Sequence, residues 1–448
     1  MKKKLEKLFS NKKIALLGLG LENQALLELL AKYNITTDIT ICDFKTLVAL
    51  KSITAKLKLK SLKLNYQLKK KSNQKLDNFD ILFRSPGWPL NYPGIKQAIK
   101  KKVTISSSMN MFFQICASKN IVGVTGSKGK GTTASLIAKI LQDQKKKIFL
   151  GGNIGIAPLS FVDKVKSGDW IVLELSSFQL EDLAYSPKYS VITNLYPEHL
   201  SAADPNNPNF HKNFKAYIQA KLNIAGNQNN LGKFIVNEKA CRTIEKEVFN
   251  FVKIYAGKIT TFKPEVLPTK LVGDFNFENI GGALTLTKVL KLNLKQAKRT
   301  IKNYKNLEHR LEWVANIKKV TYYNNSFCTT PASTILDLKS FTTPIILIAG
   351  GPDKGTSFDA LARTINSKVK LLILFPGRGS DRLKQSLKKA NYPKNQIKLV
   401  NSMTEAVKIA KQQAISNDVV LLSPACASFG LFNNYKERGA LFKQAVKK

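Results

Sequence analysis

Three observations predict an α/β protein of three domains. Apolar, strand-like runs alternate with helix-like segments along the whole chain. The alternation restarts near residues 110–120 and again near 300. At 448 residues the chain also exceeds one ordinary domain, for which roughly 150 residues is the norm. The segments that follow are 1–110, 111–301 and 302–448.

In the first segment Ile14–Gly20 reads as a strand, Ala25–Tyr33 as a helix and Asp38–Asp43 as a second strand. Phe79–Phe83 reads as a third strand, running into Ser85, Pro86 and Gly87. The junction Gly18-Leu19-Gly20-Leu21-Glu22-Asn23 is a glycine-rich strand-to-helix turn with Asn at the third glycine position, and Asp43 ends the next strand about where a ribose-binding acid sits. A tight turn without a ligand explains that pattern nearly as well. In the second segment Ile121–Gly126, Trp170–Leu175, Ser190–Asn194 and Phe234–Asn237 read as strands, and Thr132–Asp143 and Asn276–Leu290 as helices. The third has strands at 344–350, 371–375, 397–400 and 419–422 with helices between. Residues 201–213, polar and with two prolines, read as an exposed loop.

Composition narrows the class. Hydrophobic residues make up 44%, enough for several cores. No apolar stretch reaches the roughly 18 residues that a membrane span needs, so no membrane insertion is expected. The basic N-terminus lacks the uninterrupted apolar run and small-residue cleavage site of a signal peptide. The five cysteines lie far apart, with no CxxC pair, which argues against a disulfide framework or zinc site and points to a reducing, cytoplasmic setting. The net charge of +42 comes from lysine scattered everywhere, without a basic tail or a basic stretch interleaved with aromatics. No nucleic-acid partner is therefore expected, although a nucleic-acid-dependent ATPase is the reading that charge alone supports.

The strongest chemical signal is Gly123-Val-Thr-Gly126-Ser127-Lys128-Gly129-Lys130-Gly131-Thr132-Thr133. An apolar strand enters a glycine-rich turn and a helix follows, so backbone N–H groups, the helix dipole and a lysine converge on phosphate oxygens. Gly131 stands where such loops carry the hydroxyl that helps hold Mg²⁺, with Thr132 next. Glu174 ends a strand of the same sheet, where a carboxylate would face nucleotide and metal; an exposed strand-end Glu is the plain alternative. His199, one of three histidines, follows another strand in Asn194-Leu-Tyr-Pro-Glu-His199-Leu. Lys221 sits in a helical pattern and reads, by pattern alone, as an ordinary solvated lysine. The third segment adds His309-Arg310-Leu-Glu312, the turn Ala349-Gly-Gly-Pro-Asp-Lys354-Gly355, and Ser423-Pro-Ala-Cys-Ala-Ser428-Phe429-Gly430, the last read as opening a helix whose N–H groups hold a carboxylate.

Taken together and in order, these segments resemble the Mur ligase family over nearly the whole chain. The likeness adds GGNIG (151–155), LELSSFQLE (173–181), AYIQAK (216–221), GDFNFEN (273–279) and SPACASFGLFNNYKERG (423–439), the last most specific for the glutamate-adding branch. It implies a Rossmann-like N-terminal domain for a UDP-substrate, a phosphate-loop central ATPase domain with a parallel sheet, and a Rossmann-like C-terminal domain for the amino acid. The implied reaction uses ATP and Mg²⁺ to phosphorylate the carboxylate of UDP-N-acetylmuramoyl-L-alanine and joins D-glutamate to it, in a monomeric cytoplasmic enzyme. Carried over by motif, Lys130 neutralises the phosphates within the loop Gly126–Thr133, and Asn276, Asn279, Arg310 and Asn325 sit at the nucleotide. Glu174, His199, Thr132 and, once carbamylated, Lys221 hold the metal. Gly20, Leu21, Glu22, Asp43, Ser85, Pro86, Gly87, Asn153, Ser176 and Gln179 take the UDP-substrate. Thr329, Lys354, Ser428, Phe429 and Tyr435 take the amino acid.

The sequence departs from the family pattern at Gly131, at Asn325 where an Asp is expected near the ribose, at Phe275, at Ser201 and at Gly430. These departures leave a non-catalytic UDP-sugar-binding relative as an alternative. Another ligase of the family, including one that makes folate polyglutamates, is a second alternative.

Overall fold

The structure is a computed structural model that describes residues 1–59, 62–200, 208–248, 251, 255, 257–352, 355–428 and 430–448. The predicted Lys354 and Phe429, and Ser201 among the departures, lie outside the described residues. Among the described residues three sheets are formed, in two compact units: residues 1–266 with 278–300, and residues 267–277 with 301–448.

The first unit holds two wholly parallel sheets. The first comprises β1 (Lys13–Leu17), β2 (Asp38–Asp43), β3 (Leu64–Leu68), β4 (Ile81–Arg84) and β5 (Thr104–Ser106), in the order β3-β2-β1-β4-β5. The strand order reverses between β1 and β4, which opens a crevice at their C-terminal ends. The second comprises β6 (Ile121–Thr125), β7 (Ile148–Gly152), β8 (Trp170–Glu174), β9 (Tyr189–Ile192), β10 (Lys233–Asn237) and β11 (Lys258–Phe262), in the order β11-β10-β9-β6-β8-β7. All five residues of β6 are buried, as expected of a central parallel strand covered on both faces.

The second unit carries β12 (Glu312–Ile317), β13 (Val320–Asn324), β14 (Ile345–Gly350), β15 (Val369–Phe375), β16 (Ile397–Leu399) and β17 (Val419–Leu422). Their order is β12-β13-β17-β14-β15-β16, with only the β12–β13 pair antiparallel. Two apolar clusters, one on Leu347, Leu372 and Leu421 and the other on Ile346, Ile373 and Val420, fill the two faces of this sheet. Neighbouring residues of one strand belong to opposite clusters, which is the period of two at work.

Helix starts differ from the expectation for a physical reason. The helices begin earlier, at Leu21–Lys32 and Lys130–Asp143, because Gly20 and Gly129 are themselves the caps. The basic N-terminus is a short helix, Lys2–Phe9, that buries Leu5 and Phe9. Residues 423–428 do not open a helix: the next described helix begins at Tyr435, capped by Asn434, and Ala425 holds a left-handed φ of 58°.

Candidate functional site

Because β6 lies between β9 and β8, the segments leaving the three strands converge beyond their C-terminal ends. After β6 the chain turns at Gly126, with φ 144°, where an added Cβ would lie 2.1 Å from the Thr193 hydroxyl oxygen. At Gly129, with φ 78°, a Cβ would lie 1.9 Å from Asn279 Oδ1. Both conformation and space demand glycine there. The turn is tied to the segment after β9: Ser127 N–H donates to Asn194 O at 2.9 Å, and Lys128 N–H to Asn194 Oδ1 at 2.8 Å. The Thr193 hydroxyl donates to Lys128 O at 2.6 Å. Ser127 Oγ accepts from Tyr196 N–H at 2.8 Å and lies 2.8 Å from the Tyr217 hydroxyl. Lys130 opens the helix and donates to Ser127 O at 3.0 Å. Gly131 is buried, Thr132 half-buried, and the Thr133 hydroxyl donates inward to Asn279 Oδ1 at 3.1 Å.

The other two strand ends bring in the ionisable groups. Glu174 is 1% exposed, so the exposed reading of it fails. Its Oε1 accepts from Asn153 Nδ2 at 3.0 Å, and its carbonyl from Asn153 N–H at 2.8 Å. Lys221 is likewise 1% exposed, which corrects the solvated reading. Its helix, Phe214–Gly226, turns that face under the loop, and its ammonium donates to Gly126 O at 2.9 Å and Thr125 Oγ1 at 3.3 Å. Burial pushes its pKa well below the lysine range, and Lys130 and Lys128 push the same way against Glu198 and Glu174.

His199 has a left-handed φ of 60° and sets its ring edge-on to Phe178 at 5.0 Å. Lost hydration, with Lys130, Lys221 and Lys128 nearby, lowers its pKa to about 4 against the pull of Glu198, so the ring is neutral at pH 7 although part of it stays open to solvent. Burial opposes ionisation of Glu198, but Lys128, Lys130 and His199 outweigh it and hold its carboxyl at about 2. Among the described residues no three His, Cys, Asp or Glu side chains form a ready-made metal cage.

The crevice of the first sheet collects Gly20, Leu21 and Glu22 from β1 and Ser85, Pro86 and Gly87 from β4. Asp43 is turned inward: its carboxylate accepts Leu19 N–H at 2.8 Å and Lys45 N–H at 2.9 Å, so its acceptors serve the turn itself. Gln179 donates to Glu22 Oε1, and a capping box joins Gln179 to Ser176. Arg84, beside Ser85 at the end of β4, is 1% exposed. It donates to Asp182 Oδ2 at 2.7 Å, Phe178 O at 2.8 Å and Trp88 O at 2.9 Å.

In the second unit Asn276 begins the helix Asn276–Val289 and donates to Val272 O at 2.7 Å. Arg310 lies over the Phe327 ring at 3.8 Å. Asn325 donates to the buried Asp337 at 2.6 Å, a bond that commits its amide to the interior. Arg438 ties together two segments that carry amino-acid candidates. It is 1% exposed and donates to Ser326 Oγ at 3.0 Å, Ser326 O at 2.8 Å and Ala427 O at 3.0 Å. The segment leading to Thr329 is thereby joined to the one carrying Ser428, and Ser326 Oγ donates to Tyr435 O at 2.7 Å.

Sequence reasoning had missed Arg84, Glu198, His211, Tyr217 and Arg438 as organisers of these sites. Glu198, Tyr217 and Arg438 stood inside quoted motifs. Nothing local marked Arg84, whose partners Asp182 and Phe178 lie 98 and 94 positions away. His211, 3% exposed, places Nε2 2.9 Å from Ser177 Oγ and stacks on Phe178 at 4.8 Å.

Comparison with known proteins identifies the family. Residues 124–287 match the model of the Mur ligase middle domain, and residues 309–426 that of the Mur ligase, glutamate ligase domain. A UDP-N-acetylmuramoylalanine–D-glutamate ligase of Clostridium tetani is 35% identical, covering 99% of this chain and 98% of that protein. A protein of the same name from Acetivibrio thermocellus is 35% identical over 98% of this chain and 97% of its own. Among solved structures, MurF ligase from Thermotoga maritima in complex with ADP shares the fold, with a TM-score of 0.58, 16% identity and coverage of 99% and 96%. UDP-N-acetylmuramate-alanine ligase MurC of the same organism gives a TM-score of 0.57 at 15% identity, covering 98% and 99%. With identity of this order along its whole length and both family domains matched, the chain belongs to the Mur ligase family.

Proposed function

We propose that this protein is an ATP-dependent ligase that adds D-glutamate to UDP-N-acetylmuramoyl-L-alanine, in the cytoplasmic synthesis of peptidoglycan precursors, as a monomer of three domains divided near residues 110 and 301. The observation that carries this reading is the 35% identity, along 99% of the chain, to a protein of that named activity. No helix among the described residues is long and apolar enough to cross a membrane.

In this reading the loop Gly126–Thr133 wraps the ATP phosphates with its N–H groups, and Lys130 leaves Ser127 O to neutralise the charge that moves during phosphoryl transfer. Asn153, Ser176 and Gln179 position the UDP-substrate so that its carboxylate meets the terminal phosphate. Attack by a carboxylate oxygen on that phosphorus breaks the bond to the bridging oxygen, giving an acyl phosphate and ADP. The amine of D-glutamate, held by Thr329, Lys354, Ser428, Phe429 and Tyr435, then adds to the acyl carbon. Phosphate leaves and the amine gives up a proton. Asn276, Asn279 and Arg310 complete the nucleotide side, whereas Asn325, whose amide is committed to Asp337, is left out of it.

The residues present fit Mg²⁺, which keeps most of its water and needs only one or two protein carboxylates beside the phosphates. Glu174, buried at a strand end beside the loop, would supply one such oxygen, with His199 and Thr132 as the further candidates that the motifs offer. Bound there, Mg²⁺ would neutralise phosphate oxygens. Lys221 is suited to carbamylation, because its depressed pKa favours the neutral amine that attacks CO₂, and its hydrogen-bond partners are neutral oxygens. The product would be an anion facing the same region.

The deciding experiment measures ADP release by purified protein with UDP-N-acetylmuramoyl-L-alanine, Mg²⁺ and bicarbonate, with and without D-glutamate. Release that depends on D-glutamate is the expected result. Release that is indifferent to D-glutamate but answers to another amino acid would reassign the substrate. UDP-substrate binding without turnover would mean a non-catalytic relative.

A further inference from the structure

The phosphate loop carries two lysines held in different ways. Lys130 is folded onto its own loop, on Ser127 O at 3.0 Å. Lys128 reaches across to the segment after β9 and pairs with Glu198 at 2.9 Å. Its backbone is pinned on both sides, by Asn194 Oδ1 on the N–H and by the Thr193 hydroxyl on the carbonyl. Any change of partner must therefore be made by the side chain alone. The pair is partly open to water, with side chains 26% and 22% exposed. That access lets an incoming polyanion reach the ammonium, and Lys130 still faces the Glu198 carboxylate when Lys128 leaves it. A polyphosphate on the loop offers several negative charges within reach of the same ammonium, and hydrogen bonds between charged groups are the strong ones.

We propose that Lys128 is a partner-exchanging phosphate ligand. Glu198 and the nucleotide polyphosphate compete for its ammonium, so Glu198 sets how firmly the diphosphate product is held. The proposal rests on the nucleotide reading of the loop. A carboxylate placed beside two loop lysines costs binding strength, and the exchange turns that cost into faster product release.

The test is ADP affinity by calorimetry on the full-length protein and three variants: Lys128→Met, Glu198→Gln and the two combined. Lys128→Met should weaken ADP by roughly tenfold or more, the scale of one lost charge-assisted bond. Glu198→Gln should tighten ADP severalfold, and that gain should largely vanish when Lys128 is already Met. If both single variants weaken ADP alike, the pair is a brace for the loop and the proposal fails. If Glu198→Gln tightens ADP equally in both backgrounds, Glu198 acts through space and not through Lys128, and the proposal again fails. Thermal melts and UDP-substrate affinity, unchanged in each variant, separate these outcomes from misfolding. A wild-type protein that binds no ADP would remove the nucleotide reading and the exchange with it.

Discussion

Asn325 spends its amide on Asp337, which also accepts the Ser423 hydroxyl at 2.7 Å. The family aspartate expected at 325 would set a second carboxylate against a buried one. Asn325→Asp should thus destabilise the fold by about 2 kcal/mol, because one of two adjacent carboxyls must stay protonated. Asp337→Asn added to it should restore much of the loss. Urea unfolding reads both, and an unchanged midpoint for the single variant would dismiss the coupling. Gly131 poses the opposite question. Gly131→Ser should lower the Mg²⁺ concentration for half-maximal ADP release severalfold by supplying a hydroxyl. Identical Mg²⁺ curves would show that the hydroxyl is not needed. His211 adds a pH dependence. Burial, with His199, Lys221 and Arg84 nearby, lowers its pKa to about 4. As pH falls below the unfolded value near 6.5, the unfolded chain takes the proton first, so stability present above that pH is lost between about 6.5 and 4, by up to about 3 kcal/mol. His211→Asn should flatten this acid slope in thermal melts. A slope unchanged by the substitution would assign the acid sensitivity elsewhere.

At the scale of elements, Arg84 joins the turn after β4 to the segment 178–182. Removing its guanidinium strands the Asp182 and Glu181 carboxylates. Arg84→Met should cost about 3–5 kcal/mol, as broken buried pairs do, and raise the KM for the UDP-substrate. A loss of stability with that KM unchanged would confine Arg84 to packing. This network also shows what could be read from sequence and what could not. The phosphate loop was legible because glycines, lysines and strand–helix order all lie within eleven neighbouring residues. Strand β2 was read to its end residues, since a charged residue bounds an apolar run on each side. The edge strands β3, β5, β7 and β11, and β13 in the third sheet, carried too little pattern to be named. Lys221 was misjudged because burial of one helix face depends on which strand ends it underlies. No local signal carries that fact. The same holds for Arg84 and Arg438, whose partners come from distant segments.

For the molecule as a whole, the +42 charge is carried by lysines spread over the chain. Such a field attracts anionic nucleotides and repels itself, and salt screens both effects within about 8–10 Å at physiological strength. Raising salt from low to physiological strength should therefore raise the melting temperature and the KM for the UDP-substrate together. A melting temperature that falls over this range would show that specific ion pairs outweigh the repulsion. The order of the third sheet bears on how the chain is made. Its central strand β17 comes last in sequence yet separates β13 from β14. During synthesis, at roughly 5–20 residues per second, β13 and β14 wait on the ribosome with open edges until residues 419–422 emerge. Premature termination before that point would leave two unpaired, apolar strand edges, the template on which chains stick to one another. Ribosome-stalled or truncated copies of this protein should be insoluble, even though all but the last few elements have been synthesised.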